Sequence, residues 1–379
     1  MTEGSLTTMR FDEFAERVNE TVMPAESDLN RYIGLEHLNT MDLTIRRWDE
    51  GRNLVGQKKI VRKGDIIIAR RNWYLRRVAI APFDALCSAH AMIVRPKKDA
   101  INPDFFPFFL LSNQFFQKAL AISVGSLSPT INWSTLRTVE FDFPSESVIE
   151  EMSKSLPRVR ILRDNLENTL LMINRSWKSI TRELTLTRPD VVYPKQLESA
   201  DLPHGWKWMP LIKAVEFLNN KRIPLNSKER NLRQGEYPYY GASGVVDHID
   251  DYIFDEELLL VSEDGANLID RNHPVCFRIS GRTWVNNHAH VLRIKPGYDI
   301  DFIEHQLESI NYRPLINGTA QPKLNLAALK SISIPIPDYE TQTKIGKLLA
   351  NFVSFKNSLK NKILSVSSLQ STKLEEALP

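Results

Sequence analysis

Between Arg46 and Lys98 the chain carries fourteen Lys or Arg side chains against four Asp or Glu. They arrive largely in adjacent pairs: Arg46-Arg47, Lys58-Lys59, Arg62-Lys63, Arg70-Arg71, Arg76-Arg77 and Lys97-Lys98. Trp48, Trp73 and Tyr74 are interleaved with them. A local field of this kind neutralises phosphates, and side chains on a rigid support beside it can reach bases. A solvated basic face uses the same residue types, so any single pair leaves both uses open. The whole chain has a net charge of only +3, so the field belongs to this stretch.

Other residue groups suggest chemistry and fall short of it. Asn102-Pro103-Asp104-Phe105 lacks one proline of the Asn-Pro-Pro-Tyr/Phe turn that holds a target adenine in amino-methyltransferases. No glycine-rich strand-to-helix turn accompanies it, and its counterpart Asp299-Ile300-Asp301-Phe302 reads as a helix start. Pro189-Asp190 and Pro337-Asp338 lack the Glu-x-Lys of a metal nuclease. His90 and His288 occupy equivalent places between apolar neighbours and read as core histidines. Cys87 and Cys276 form no metal or redox spacing. No Walker loop, zinc spacing or Gly-x-Ser-x-Gly is present. The expectation is a chain with no catalytic constellation and no metal, whose chemistry is done elsewhere.

The elements that must position the basic residues occur twice. Gly125-Ser126-Leu127-Ser128-Pro129-Thr130-Ile131-Asn132 returns as Gly318-Thr319-Ala320-Gln321-Pro322-Lys323-Leu324-Asn325. Each copy continues to a leucine (Leu136, Leu329), an alternating strand ending in proline (Pro144, Pro337) and a long helical pattern. Upstream, Ser88 to Arg95 pairs with Asn286 to Arg293. Duplication suits a bipartite target, with two half-sites at a fixed separation, and is equally a simple way to enlarge a protein. In the two loops, Gly125, Pro129, Asn132 and Gly318, Gln321, Pro322, Asn325 either approach a ligand or turn a helix into a strand. The second use is favoured, because a loop kept in both copies cannot explain two different half-sites.

Residues 1 to 8 read as frayed, and Phe11 to Val18 as a short amphipathic helix. Short apolar runs (Ile60-Val61, Ile66 to Ala69, Val78 to Ile80, Met92 to Val94, Val139 to Phe143) read as strands, with Asp104 to Leu120 helical. A helix starts near Ser145, with Ser147 to Glu150 offering a capping box. Its apolar residues, from Val148, Met152 and Leu156 to Trp177, Ile180 and Leu184, recur at spacings of three or four, interrupted by Pro157, which should kink it or lie near a local break. A second such helix follows Asp338, with Ile345, Leu348, Phe352, Phe355 and Leu359 in its stripe. Neither is apolar all round, so the economical solution pairs them with each other, antiparallel. A ~38-residue helix is about 57 Å long, more than one ~34 Å turn of duplex.

The fold expected is therefore α+β: two repeated mixed α/β domains separated by two long helices that form an antiparallel coiled coil. The boundaries are a first domain at 1–144, a helix at 145–186, a linker at 187–203, a second domain at 204–337 and a helix at 338–379. The chain of 379 residues is 42% hydrophobic, enough for real cores. No apolar run approaches the ~20 residues that span a bilayer, and the first residues lack a signal-peptide pattern. A soluble, cytoplasmic protein is expected.

The second copy opens with Leu202-Pro203-His204-Gly205-Trp206-Lys207-Trp208-Met209-Pro210-Leu211 and continues through Tyr237 to Asp247 and Leu258 to Leu268. With the Gly318 to Asn325 loop, this resembles the target-recognition domain of type I restriction-modification specificity subunits. The first copy is similar but more worn, in Tyr32 to Leu38 and Lys63 to Arg70, and lacks the Leu-Pro-x-Gly-Trp opening. The resemblance covers nearly the whole chain, in the family's order of domain, helix, domain, helix.

The resemblance implies a recognition subunit that is not itself an enzyme. It would bind double-stranded DNA and two methyltransferase (modification) subunits, and restriction/translocase subunits would join. S-adenosylmethionine, ATP and Mg2+ would sit on those partners, with no cofactor on this chain. For the first domain, Arg46, Arg47, Lys58, Lys59, Arg70, Arg71, Trp73, Arg76 and Arg77 are the candidate DNA-binding residues. For the second they are Lys221, Arg222, Arg271, Arg282 and Lys323. Which touch bases and which touch phosphates stays open. So do three other readings: a recognition arm that works with a single-chain methyltransferase-nuclease, an orphan or decoy specificity subunit, and a coiled-coil scaffold without a DNA role.

Overall fold

The computed structural model describes residues 6–51, 54–186, 202–318 and 321–378. The expected linker falls almost wholly outside these residues, as do Thr319 and Ala320 of the second loop. The chain divides into two compact units, one of Met1–Thr169 with Lys360–Pro379, the other of Leu170–Leu359.

In the first unit four antiparallel strands lie in the order Ala15–Val18, Ala91–Pro96, Ile66–Ala69, Val78–Ile80. In the second the equivalent order is Val215–Phe217, Ala289–Ile294, Leu258–Ser262, Cys276–Ile279. Strand side chains alternate between faces, and here both faces are covered. Ile66, Ile68, Met92 and Val94 enter one core, while Ile67, Ala69, Ala91 and Ile93 enter another. Leu259, Val261 and Leu292 are likewise divided from Leu258, Leu260, Ala289 and Val291. Burial on both faces explains why these strands read as continuous apolar runs.

A phenylalanine cluster fills the larger core of the first unit, with Phe115 stacked on Phe141 at 5.4 Å. The first and last strands of each repeat meet. Thr7–Arg10 pairs with Glu140–Phe143, and Lys207–Pro210 with Ser333–Ile336, both antiparallel. Thr7 and Thr8 are thus strand residues and not frayed.

The expected Phe11 to Val18 helix is one turn, Phe11–Phe14, followed by the strand Ala15–Val18. Phe11 and Phe14 are both buried, which gave the helical pattern, but Ala15 to Val18 find their hydrogen bonds on Ala91–Pro96. The Asp104 to Leu120 stretch splits into Phe106–Phe109 and Asn113–Ala121, because Ser112 caps the second helix through Phe115 N at 3.1 Å.

The two long helices run Glu146–Thr185 and Tyr339–Ala377. The first begins ahead of the expected capping box, with Ser145 O accepting from Val148 N at 3.0 Å. It continues helical through Pro157. Asp338 caps the second helix, accepting from Thr341 N at 3.0 Å. In the first unit Lys373 lies 3.7 Å from Glu151, and Leu374 packs in one core with Met152 and Leu156. In the second unit Trp177 packs against Phe352 with ring centroids 6.1 Å apart. The start of each helix thus meets the end of the other, the antiparallel pairing expected of two one-sided helices.

Candidate nucleic-acid interface

The central strand of each sheet ends at the repeated loop, and the same bonds hold it there. In the first unit Ile131 N donates to Arg70 O at 3.0 Å and Trp73 N to Pro129 O at 3.2 Å. In the second, Leu324 N donates to Glu263 O at 2.8 Å and Gly265 N to Pro322 O at 3.1 Å. Each loop is closed by a reciprocal pair, Val124 with Thr130 and Asn317 with Lys323. The loop glycines are required by this closure: Gly125 has φ +95° and Gly318 φ +87°. A Cβ would lie 3.3 Å from Ser128 O in one and 2.7 Å from Gln321 O in the other. Pro322 and Ile131 are buried, and Asn325 caps the following helix through Ala328 N at 2.8 Å. Asn132 holds the equivalent N-cap position without a side-chain cap bond. Each loop thus leads into a short helix, Trp133–Leu136 in the first unit and Leu326–Lys330 in the second.

The structure separates the predicted basic residues. Arg46 is engaged with Asp42 and Glu167, and with Asp164 at 2.6 Å, where Arg163 also binds Asp42. It fastens the Asp42–Arg46 segment to the first long helix, its charge answered by carboxylates of the same unit. Trp73 is a core residue, 1% exposed, with Nε1 donating to Phe116 O at 3.2 Å. Arg76 donates to Leu111 O at 3.2 Å and Asn113 Oδ1 at 2.8 Å, with its guanidinium 4.3 Å from the Phe116 ring centre. Arg77 donates to Leu35 O at 2.9 Å. Lys58 donates to Gly56 O at 3.1 Å, and Arg47, exposed, to Glu36 O at 3.4 Å. The expected single face from Arg70 to Arg77 is therefore corrected: Trp73, Arg76 and Arg77 are turned into the protein.

Among the described residues, the side chains of Arg70 and Arg71 take part in no such bond. Arg71 is exposed and Arg70 half-buried. Lys59, buried, reaches Asn19 Oδ1 at 3.3 Å, and Arg17 reaches the same oxygen at 3.0 Å. Burial, with Arg17 and Arg70 nearby, pushes Lys59 below the ordinary lysine range. Burial, with Arg17 and Arg71, lowers Arg70 in the same sense. Arg17 escaped the sequence reading, because it is a lone arginine in a segment that reads as a helix.

In the second unit Arg222 donates to Glu263 at 2.7 Å and to Ala289 O at 2.7 Å, and Lys323 lies 3.4 Å from Glu263. Burial alone would raise Glu263, but the Arg222 bond, with His290 and Lys323, outweighs it and holds the group below the ordinary range. Arg271 donates to Glu308 O at 2.7 Å and to Ile310 O at the end of the Ile300–Ser309 helix, so its role is structural. Arg282 is exposed beside Asp255 and Tyr237, and Lys221 is exposed. His90 and His288 are exposed, correcting the core reading. The buried histidine is His290, 0% exposed, with Nε2 2.7 Å from Leu324 O.

Among the described residues Glu36, His37 and Asp49 bring possible metal ligands within 4.8 Å of one another. Gly34 N donates to His37 Nδ1 at 2.9 Å, which leaves the ring proton on Nε2, facing Asp49 at 3.6 Å. The group is accounted for as a histidine–carboxylate contact. Among the described residues, no helix is long and apolar enough to cross a membrane.

Residues 203–366 match the family model of the type I restriction modification DNA specificity domain. The chain is 35% identical over 155 residues to a putative type I restriction enzyme specificity subunit of Haemophilus influenzae, covering 41% of this chain and 38% of that protein. It is 29% identical over 147 residues to the EcoprrI type I restriction enzyme specificity subunit of Escherichia coli, covering 39% and 34%. The chain thus matches little more than a third of the length of these relatives. Over the whole chain the fold is similar to that of the type I restriction-modification S subunit from M. genitalium, with TM-score 0.68, 14% identity and 100% and 97% of the two chains covered. It is also similar to a chain of a type I R-M system solved for its complex assembly, with TM-score 0.56, 17% identity and 99% and 97% covered. Residues 203–366 are thus similar to the type I restriction modification DNA specificity domain, and the fold of the whole chain is similar to that of a type I restriction-modification S subunit.

Proposed function

We propose that the chain reads a bipartite duplex DNA target, one half-site for each recognition domain (1–144 and 204–337), and scaffolds two adenine methyltransferase subunits. Restriction/translocase subunits complete the assembly. The chain itself catalyses nothing, and S-adenosylmethionine, ATP and Mg2+ act on the partners, in the cytoplasm.

One observation carries the reading: two units with one strand order hold one loop against the same strand end, yet differ in the side chains displayed there. A fixed frame with variable side chains suits the reading of two unlike half-sites. Apolar side chains left exposed on the long helices, among them Leu162, Met172, Phe355 and Leu364, support the docking of partner subunits there.

The test is a methylome. The chain is expressed with its neighbouring methyltransferase in a methylation-free bacterial host, and modified adenines are read by single-molecule sequencing. Two short half-sites around a fixed unread spacer are expected. A stable complex that leaves the host DNA unmodified would favour an orphan, decoy or scaffold role.

A further inference from the structure

The two units present one backbone and opposite charge at one place. Arg70 and Glu263 are the residues whose carbonyls accept from the loop, and Arg71 and Asp264 are the residues bridged to its last turn. In the second unit the acids are answered within the chain: Glu263 by Arg222 and Lys323, and Asp264 by His288 at 2.8 Å. In the first unit, among the described residues, no carboxylate forms an ion pair with Arg17, Lys59, Arg70 or Arg71.

Ala15–Val18 and Ile66–Ala69 both run antiparallel to Ala91–Pro96 and so leave the sheet in the same direction. Arg17 stands in the row of Ile66, and its side chain and that of Lys59 meet at Asn19 Oδ1, at 3.0 and 3.3 Å, near enough to Arg70 for the like charges to repel. Like charges collected without counter-ions weaken the free fold, and an arriving anion removes that penalty. Several cations held close together match a chain of phosphates better than a single base edge, which one well-placed side chain reads.

We propose that Arg70 and Arg71, backed by Arg17 and Lys59, form a DNA-phosphate clamp that only the first domain possesses, its counterpart in the second domain being closed by Glu263 and Asp264. The proposal rests on the specificity-subunit reading and adds an asymmetry to it: the salt-dependent grip comes mainly from the first domain.

The experiment measures binding of the full chain, in complex with its modification subunits, to a duplex carrying the motif found by methylome, across a salt series. Arg70→Gln/Arg71→Gln is expected to reduce the slope of log K against log salt by about two, each phosphate contact contributing ~0.9. Arg71→Gln alone, at an exposed position, should reduce it by about one while keeping the wild-type melting temperature. Both variants should methylate the unchanged motif. Lys98→Gln, just beyond the opposite end of the sheet, should leave the slope as it is.

An unchanged slope in both arginine variants would overturn the clamp. So would an unchanged slope with one relaxed motif position, since that is base reading. A wild-type complex that binds no duplex would instead remove the specificity-subunit reading itself.

Discussion

Asp264 holds in the second unit the backbone position that Arg71 holds in the first, each bridged antiparallel to the residue that closes its glycine loop, Lys323 and Thr130. The main chain is locked by hydrogen bonds that ignore side-chain identity, so the side chain is free to invert its charge. The same freedom does not extend to Ala69 and Ser262, one or two residues earlier, which are buried. The variable position begins where burial ends.

Trp73 stands beside this edge but belongs to the core. Trp73→Ala should lower stability by about 3–5 kcal/mol, the usual cost of removing a buried large aromatic. Chemical denaturation of the purified complex measures it. Wild-type stability with weakened DNA binding would restore Trp73 to the surface role suggested by the sequence.

Asp42 faces two guanidinium groups, Arg46 and the buried Arg163. Asp42→Ala leaves Arg163 short of its main partner in a dry site, at a cost of about 3–5 kcal/mol. Asp164→Ala should cost less, because Arg46 retains Asp42 and Glu167. Urea midpoints for the two variants decide the order, and equal midpoints would mean that the network shares its charge evenly.

The loop glycines predict a graded response. Gly318→Ala places a Cβ 2.7 Å from a backbone oxygen and Gly125→Ala one at 3.3 Å, both at positive φ. Each substitution should destabilise, by ~1–3 kcal/mol for a residue forced into the left-handed region, and Gly318→Ala should lie at the upper end. Thermal melts that rank the two in reverse would contradict the loop geometry.

His305 supplies a pH dependence. Burial pushes its pKa down to about 4, against Asp301, which favours the charged form. The unfolded chain takes up this proton near pH ~6.5, before the folded one does. Stability is therefore lost as pH falls from about 6.5 to about 4, by up to about 3 kcal/mol. Glu304 and Glu308, raised by burial, act in the opposite sense, so wild-type stability alone mixes the effects. The gap between wild type and His305→Gln isolates the histidine and should shrink across this window. Parallel pH profiles would rule the assignment out.

Much of this architecture was legible in the residues. The repeated loop, the strands at Ile66–Ala69 and Val78–Ile80, and the long helices are local patterns, and each appears where the residues placed it. Asp299 capping Phe302 N at 2.9 Å was equally readable. The misreadings lie where distant partners decided. Ala15 to Val18 became a strand because Ala91–Pro96 offered its edge.

The sequence by itself determined that the protein is built twice from one unit, that its helices need each other, and that positive charge is concentrated in the first half. Periodicity, repetition and composition are properties of neighbours along the chain. Which arginines are free was decided by the tertiary structure alone. Arg46 is claimed by Asp164 and Glu167, Arg76 by Leu111 O, and Arg222 by Glu263, while among the described residues no carboxylate forms an ion pair with Arg70 or Arg71. An ion pair depends on distance in space, which folding sets between residues that the sequence keeps far apart.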